Sequence, residues 1–313
     1  MSRIDPRKAF GEKLMQLGNV NEKIVCVSCD SAQGGGMGDF FKKFPKRTVE
    51  TGISEQNAIG ICASLAKQGF IPIIVAITPF ITMRAYEQIR DDIGYMNMNV
   101  KLVGSGGGLA YSTLGSTHQA MEDVALMRTV PNMTIFSPCG ADDVKVALEM
   151  AVEIEGPVYI RMPRQAREIA ECGSKVRLGK AEILKNGKDI AIFATGPMVE
   201  EAQLASEILN KEGIDAAVLK FLTIKPLDEE AVREYAQTVR MIVTAEEHSI
   251  TNGFGSAVAQ VMAETGRTAP LYILGIAEGS KETGPYKELL GYYNLTGEKI
   301  AKNIKKILVE KKI

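Results

Sequence analysis

The 313-residue chain has no tryptophan, only two histidines and 6 % aromatic residues. Its 37 basic residues are balanced by 38 acidic ones, leaving a net charge of −1 at pH 7. With no basic block and no surplus of positive charge, neither nucleic acid nor an anionic membrane is an expected partner. The longest apolar stretch, FIPIIVAITPFI, is broken by Pro72 and Pro79, and the N-terminus MSRIDPRKAF is charged from its third residue. Neither a membrane span nor a secretory leader is expected from such segments. Five cysteines, an odd number scattered along the chain, make no disulfide framework and suit a reducing cytoplasm. HExxH, GxSxG and clustered Cys/His sets are missing, which leaves a zinc or serine hydrolase unsupported. The triple glycines at 34–36 and 106–108 fit neither GxGxxG nor GxxxxGK[ST], so they are read first as flexible turns.

Apolar residues supply 45 % of the chain and charged residues 24 %, a composition able to bury a sizeable core, and the length favours two domains. A helix beginning near Pro6 leads to the β-run KIVCVSC, and the pattern continues through IPIIVAI, VKLVGS, MTIFSP and GPVYIRM, with amphipathic stretches between them. This alternation predicts an α/β fold, a mostly parallel sheet flanked by helices, over residues 1–165. Residues 166–187 are polar and read as a linker with a strand or hairpin. A second α/β unit over 188–313 begins at DIAIFATG, proceeds through AAVLKF, RMIVTAEE and PLYILGI, and ends on KNIKKILVEKK, a terminal helix with a solvated face.

Open parallel sheets bind ligands beyond the carboxyl ends of their strands. The turns there, SCDSAQGGGMG, TGISEQ, ITPF with MRAYEQIR, GSGGGLAYSTLGSTHQ and RMPRQ, hold Asp30, Glu55, Phe80, Tyr86, His118, Arg161 and Arg164. Glu55 opens an apolar helix, with Ser54 placed to cap it; an acid in the first turn suits the helix dipole, which explains this carboxylate without any function. His118 precedes the expected helix QAMEDVALM and His248 follows RMIVTA, and each reads first as structural. Cys26 and Cys29 form a CxxC, but inside KIVCVSC they read as buried strand cysteines, since a redox pair belongs at a helix N-terminus. Composition and spacing stop at a two-domain α/β protein.

The segments TGISEQNAIGICASLAKQGF, RAYEQIR, STHQAMEDVALMRTVPNMTIFSPCGADD and GPVYIRMPRQ, in that order, resemble the pyrimidine-binding domain of transketolases. FATGPMVEEAQLASEIL, FLTIKPLD and EEHSITNGFGSAVAQ resemble the transketolase C-terminal domain, so the resemblance covers nearly the whole chain. It implies thiamine diphosphate as cofactor and gives Glu55 a role: bonding a ring nitrogen of the aminopyrimidine, promoting the imino tautomer whose exocyclic nitrogen removes the thiazolium proton. A two-carbon ketol unit then passes from a ketose donor to an aldose acceptor. Phe80 and Tyr86 match aromatic positions walling the pyrimidine pocket, with Met83 where a further aromatic is usual. His118 matches the histidine that contacts substrate oxygens, and Asp30 an acidic position near the cofactor. Arg7, in PRKAF, and Arg164, in MPRQ, match arginines that bind the sugar phosphate, a role suited to a guanidinium fork; a surface ion pair is the alternative for each.

The chain also departs from the family pattern. Leu114, in LGSTHQ, replaces the aspartate of the usual DGPTHQ that recognises a donor hydroxyl, while Gly106 and Gly34 fall where a phosphate-binding histidine and a phosphate-site serine are expected. Loss of such polar partners removes discrimination, so an atypical donor is expected, ending in phosphate or another anionic group such as sulfonate. The metal-binding GDG…NN motif of the family is absent. The resemblance therefore implies that Mg²⁺ or Ca²⁺ is held mainly by an N-terminal partner subunit, in an α2β2 heterotetramer with the cofactor at an interface. The rival enzymatic readings are a β subunit of a 2-oxoacid dehydrogenase or decarboxylase and a 1-deoxyxylulose-5-phosphate synthase-like enzyme; the non-enzymatic one is a degenerate regulatory subunit.

Overall fold

Short apolar runs become strands here because helices cover both faces of each sheet, leaving no solvated side to impose alternation. A computed structural model describes residues 4–166, 176–266, 268–279 and 282–311. In chain order the strands are β1 (Ile24–Ser28), β2 (Thr48–Glu50), β3 (Ile71–Ile77), β4 (Lys101–Ser105), β5 (Thr134–Phe136), β6 (Val158–Met162), β7 (Glu182–Lys185), β8 (Ile190–Ala194), β9 (Ala216–Lys220), β10 (Thr223–Lys225), β11 (Met241–Ser249) and β12 (Leu271–Ile276). They form a seven-stranded sheet, β10-β5-β6-β4-β3-β1-β2, and a five-stranded sheet, β12-β11-β8-β9-β7. All neighbours run parallel except the outermost β10 beside β5 and β7 beside β9. Every residue of β1, β4, β6, β8 and β9 is buried.

The strands read from apolar runs are all present. The three-residue β2 and β10 carry no such run, and β7 lies within the polar stretch 166–187, of which residues 167–175 fall outside those described. β10 leaves the second half of the chain and pairs with β5 of the first sheet, where Lys225 Nζ donates to the carbonyls of Arg128 and Val130 at the end of the helix Asp123–Thr129. The two halves are thereby stitched together through backbone as well as side chains.

Parallel β1, β3, β4 and β6 all end on one edge of the first sheet, at Ser28, Ile77, Ser105 and Met162, and their following loops carry Asp30, Phe80, the segment 106–118 and Arg164. The second half braces the longest of these loops. Ser249 N–H donates to Met121 O (2.8 Å), Gly284 N–H to Ser112 O (3.2 Å), and the Gln119 amide to Glu282 O (3.1 Å). Glu247 reaches into the first half, accepting from Leu109 N–H with one oxygen and from the Tyr286 hydroxyl with the other.

Arg161, a candidate from its place near a strand end, is in the core instead. Its guanidinium pairs with fully buried Asp123 through Nε (2.8 Å) and Nη2 (3.1 Å), and Nη2 also donates to Ala120 O and Glu247 O. Tyr159 donates to the same carboxylate at 2.7 Å. Burial by itself would raise the Asp123 carboxyl, but the Arg161 charge and the hydrogen bonds from Arg161 and Tyr159 together outweigh it and hold the group below its usual value. His248 is likewise structural: Nε2 accepts from Ala125 N–H (3.3 Å) and Nδ1–H donates to Ser249 O (2.8 Å), while burial lowers its pKa to about 4, keeping the ring neutral. Cys26 and Cys29 are buried at β1 and its end, where burial pushes both thiols up and away from thiolate chemistry.

Candidate active site

Glu55 is the first residue of the helix Glu55–Lys67, and its carboxylate is 4 % exposed. Ser54 holds the N-cap position but does not cap; its hydroxyl donates to Thr51 O at 3.0 Å. The dipole explanation of Glu55 is thus incomplete, because the carboxylate has a partner from elsewhere. Arg84 Nη1 lies 3.0 Å from each of its oxygens.

Arg84 comes from a helical segment after β3 wound at π pitch over Phe80–Arg84 and again over Ile89–Tyr95, a winding often found beside functional sites. The winding places Arg84 above Phe80, with the guanidinium carbon 4.4 Å from the ring centroid. Phe80 in turn meets His118 edge to face at 5.1 Å, and His118 meets Tyr111 at 5.8 Å. Arg164 also lies against Tyr111, its guanidinium 4.4 Å from the ring centroid and its Nη1 donating to the phenol oxygen at 2.9 Å. Glu55, Arg84, Phe80, His118, Tyr111 and Arg164 form a continuous line of contacts along the sheet edge.

Within that line His118 is oriented by Thr117, whose hydroxyl lies 2.8 Å from Nδ1, and no described residue bonds Nε2. Gly106 has φ +79°, and a Cβ there would come 2.5 Å from a Tyr111 ring carbon. Its neighbours are packed as tightly: a Cβ on Gly107 would strike the Arg161 side chain at 2.7 Å and one on Gly108 the Glu247 carbonyl at 2.5 Å. The 106–108 triplet, read first as a flexible turn, is a close-packing element. Leu114 sits on the same loop, 54 % exposed.

Other candidates lie off the line or at its margin. Arg7 is occupied by Asp5, donating through Nε (3.1 Å) and Nη2 (2.6 Å); that hydrogen bond lowers the Asp5 carboxyl, which also feels the charge of Arg164. Arg7 and Gly34 border an open cleft of about 640 Å³ beside the helix Pro6–Val20. Asp30 is exposed after β1 with φ +57°, and its N–H donates to Glu50 Oε1 (2.7 Å), which also accepts from Gly52 N–H (2.9 Å). Met83 is half-buried beside Arg84. Tyr86 packs on the core beneath and donates to Thr129 Oγ1, since the Thr129 proton goes to Leu126 O. Among the described residues no three His, Cys, Asp or Glu side chains cluster as metal ligands would.

Arg84 and Tyr111 are the members of this line that sequence reading missed. Arg84 sits inside the quoted MRAYEQIR, and Tyr111 is the only aromatic in GSGGGLAYSTLGSTHQ besides the histidine, so composition of the loops was the one available signal.

Two parallel-sheet α/β halves, with a buried helix-start carboxylate beside an aromatic face on the carboxyl edge of the first, define the class. The transketolase pyrimidine-binding domain matches residues 2–168 and the transketolase C-terminal domain residues 179–300, and the chain belongs to the transketolase family. Among its relatives is one subunit of the apulose-4-phosphate transketolase of Phocaeicola vulgatus, 37 % identical over 298 residues, covering 95 % of each chain. The 6-deoxy-6-sulfo-D-fructose transketolase subunit SqwH of Clostridium sp. (strain MSTE9) is 36 % identical over 297 residues, 95 % of this chain and 92 % of that one. A solved split gene transketolase, described as an inactive beta4 tetramer, superposes with a TM-score of 0.88 at 38 % identity, over 98 % of this chain and 99 % of that one.

Proposed function

We propose that this chain is the C-terminal subunit of a split transketolase, transferring a two-carbon ketol unit from an anionic ketose donor to an aldose acceptor with thiamine diphosphate. The observation that carries the reading is the Glu55–Arg84–Phe80 arrangement. Arg84 presents a flat, N–H-bearing cation that bonds a buried carboxylate while lying on an aromatic face. An aminopyrimidine has the same needs, a flat ring with a nitrogen to be bonded by a carboxyl group, so these residues fit the cofactor's pyrimidine.

Thiamine diphosphate, when bound, would supply a nucleophilic carbon for ketol transfer. Glu55 would bond and hold a proton at a pyrimidine ring nitrogen, which requires Arg84 to release it. Phe80 offers an apolar wall, and Met83 and Tyr86 stand on the same segment. His118, oriented by Thr117, keeps Nε2 for a substrate oxygen. Asp30, exposed on the loop after β1, would stand near the cofactor. Of the two arginines, Arg164 is the one placed against the site line, because Arg7 is paired with Asp5.

An N-terminal subunit would supply the Mg²⁺ or Ca²⁺ site for the diphosphate, in an α2β2 assembly acting in the cytoplasm. Residues 1–165 would serve as the pyrimidine-binding half and 188–313 as its brace. Relatives named for a phosphorylated and a sulfonated sugar support a donor with a terminal oxyanion, and Leu114, Gly106 and Gly34 support one other than xylulose 5-phosphate. Co-expression with the N-terminal subunit, addition of cofactor and Mg²⁺, and a mass-spectrometric screen of ketose donors tests the reading. Glu55→Ala should lower turnover by roughly 10²–10⁴-fold, the usual worth of a positioned proton-transfer group; unchanged turnover removes the role.

A further inference from the structure

Building on that reading, we infer that Tyr111 is a specificity-determining residue for the donor's terminal oxyanion, and that Gly106 is glycine to make room for it. The phenol ring occupies the space a side chain at position 106 would take, with a Cβ there only 2.5 Å from ring carbon Cε2 and 3.3 Å from Ala110 Cβ. The φ of +79° at Gly106 independently disfavours any other residue. The space beside position 106 is thus filled, from five positions later in the chain, by the edge of a phenol ring whose hydroxyl lies beyond it.

The bonding of that hydroxyl defines what it can do. Arg164 Nη1 donates to the phenol oxygen, so the oxygen is already an acceptor and its own proton has no acceptor among the described residues. Arg164 uses one of five N–H groups in this bond, and its plane is held against the Tyr111 ring at 4.4 Å. Tyr111 O–H and the remaining Arg164 N–H groups form one donor cluster, with His118 also against the Tyr111 ring, 5.8 Å between centroids. Such a cluster suits a tetrahedral oxyanion, phosphate or sulfonate, at the end of a sugar whose reacting carbon lies toward His118. Tyr111 therefore both orients Arg164 and donates directly.

The test uses the reconstituted complex and the variants Tyr111→Phe, which keeps the stack and loses the hydroxyl, and Tyr111→Leu, which loses both. Tyr111→Phe should raise KM for phosphorylated or sulfonated ketoses about tenfold, the usual size of one lost bond to a charged group, with kcat nearly unchanged. KM for the matching neutral ketose should not move, and Tyr111→Leu should be worse than Tyr111→Phe on the anionic donors only. An unchanged KM, or an equal rise on neutral and anionic donors, overturns the assignment. Titration calorimetry with inorganic phosphate and with methanesulfonate supplies a second readout independent of turnover. Both anions should bind Tyr111→Phe about tenfold more weakly than wild type, and their order of affinity in wild type names the natural head group. Equal binding by variant and wild type overturns the assignment even if Tyr111→Leu fails to fold. Wild-type complex that turns over no ketose defeats the transketolase reading; wild-type turnover with an unaffected Tyr111→Phe defeats only this inference.

Discussion

Arg84 holds the place at Glu55 that a cofactor ring would need, so removing it should tighten cofactor binding. The perturbation is Arg84→Met, which keeps side-chain length and apolar contact with Phe80 but removes the planar cation. Arg84 is 47 % exposed and Glu55 4 %, so the pair is screened from one side and contributes on the order of 1 kcal/mol. The guanidinium over Phe80 adds about 0.5–1 kcal/mol. Displacing Arg84 therefore opposes binding by roughly 1.5–2 kcal/mol, and Arg84→Met should lower the dissociation constant for thiamine diphosphate about tenfold or somewhat more. Calorimetric titration of the reconstituted complex at saturating Mg²⁺ measures this without reference to turnover. Arg84→Lys, which keeps the charge but not the plane, should fall between variant and wild type. A dissociation constant that is unchanged or larger in Arg84→Met would mean that Arg84 supports the ring rather than competing with it.

Two further predictions concern the scaffold. Arg161→Met strands the buried Asp123 carboxylate and should destabilise the chain by about 3–5 kcal/mol in urea titrations at pH 7, against well under 1 kcal/mol for an exposed pair; a loss of the smaller size refutes the structural assignment of Arg161. His248, whose pKa burial lowers from 6.5 to about 4, binds a proton more readily unfolded than folded between those values. Its contribution is therefore complete above about pH 6.5 and is lost as pH falls toward 4, by up to ~3 kcal/mol. Glu246, raised by burial to about 7, gains stability over an overlapping range as pH falls, so the His248 effect is read from the difference between wild type and His248→Gln. A difference that stays constant from pH 7 to 4.5 contradicts the buried, neutral histidine.

How far each feature could be read depends on the distance over which its cause acts. β1, β3 and β4 were legible because five to seven consecutive residues carry the apolar signal locally. The three-residue β2 and β10 were not, since pairing with a neighbour rather than any local pattern makes them strands. Glu55 was legible as a helix-start acid, but neither the missing Ser54 cap nor the partner Arg84, 29 residues away in the chain and 3.0 Å away in space, is written locally. Arg161 and Arg164 stand three residues apart in one segment and look alike there; the one in β6 is sealed by Asp123, and the other reaches Tyr111 53 residues back.

The sequence by itself determined the alternation of strands and helices, the order of the two halves and the family, because these are written in periodicity and in contiguous motifs. Only the tertiary structure decided which charges are core ion pairs and which face the sheet edge, that the 106–108 glycines are packing rather than slack, and that Arg84 meets Glu55 and Tyr111 meets His118 and Arg164. The physical reason is the same in each case: burial, close approach and hydrogen-bond satisfaction depend on partners that meet only when distant segments pack, and no local pattern encodes the partner's identity.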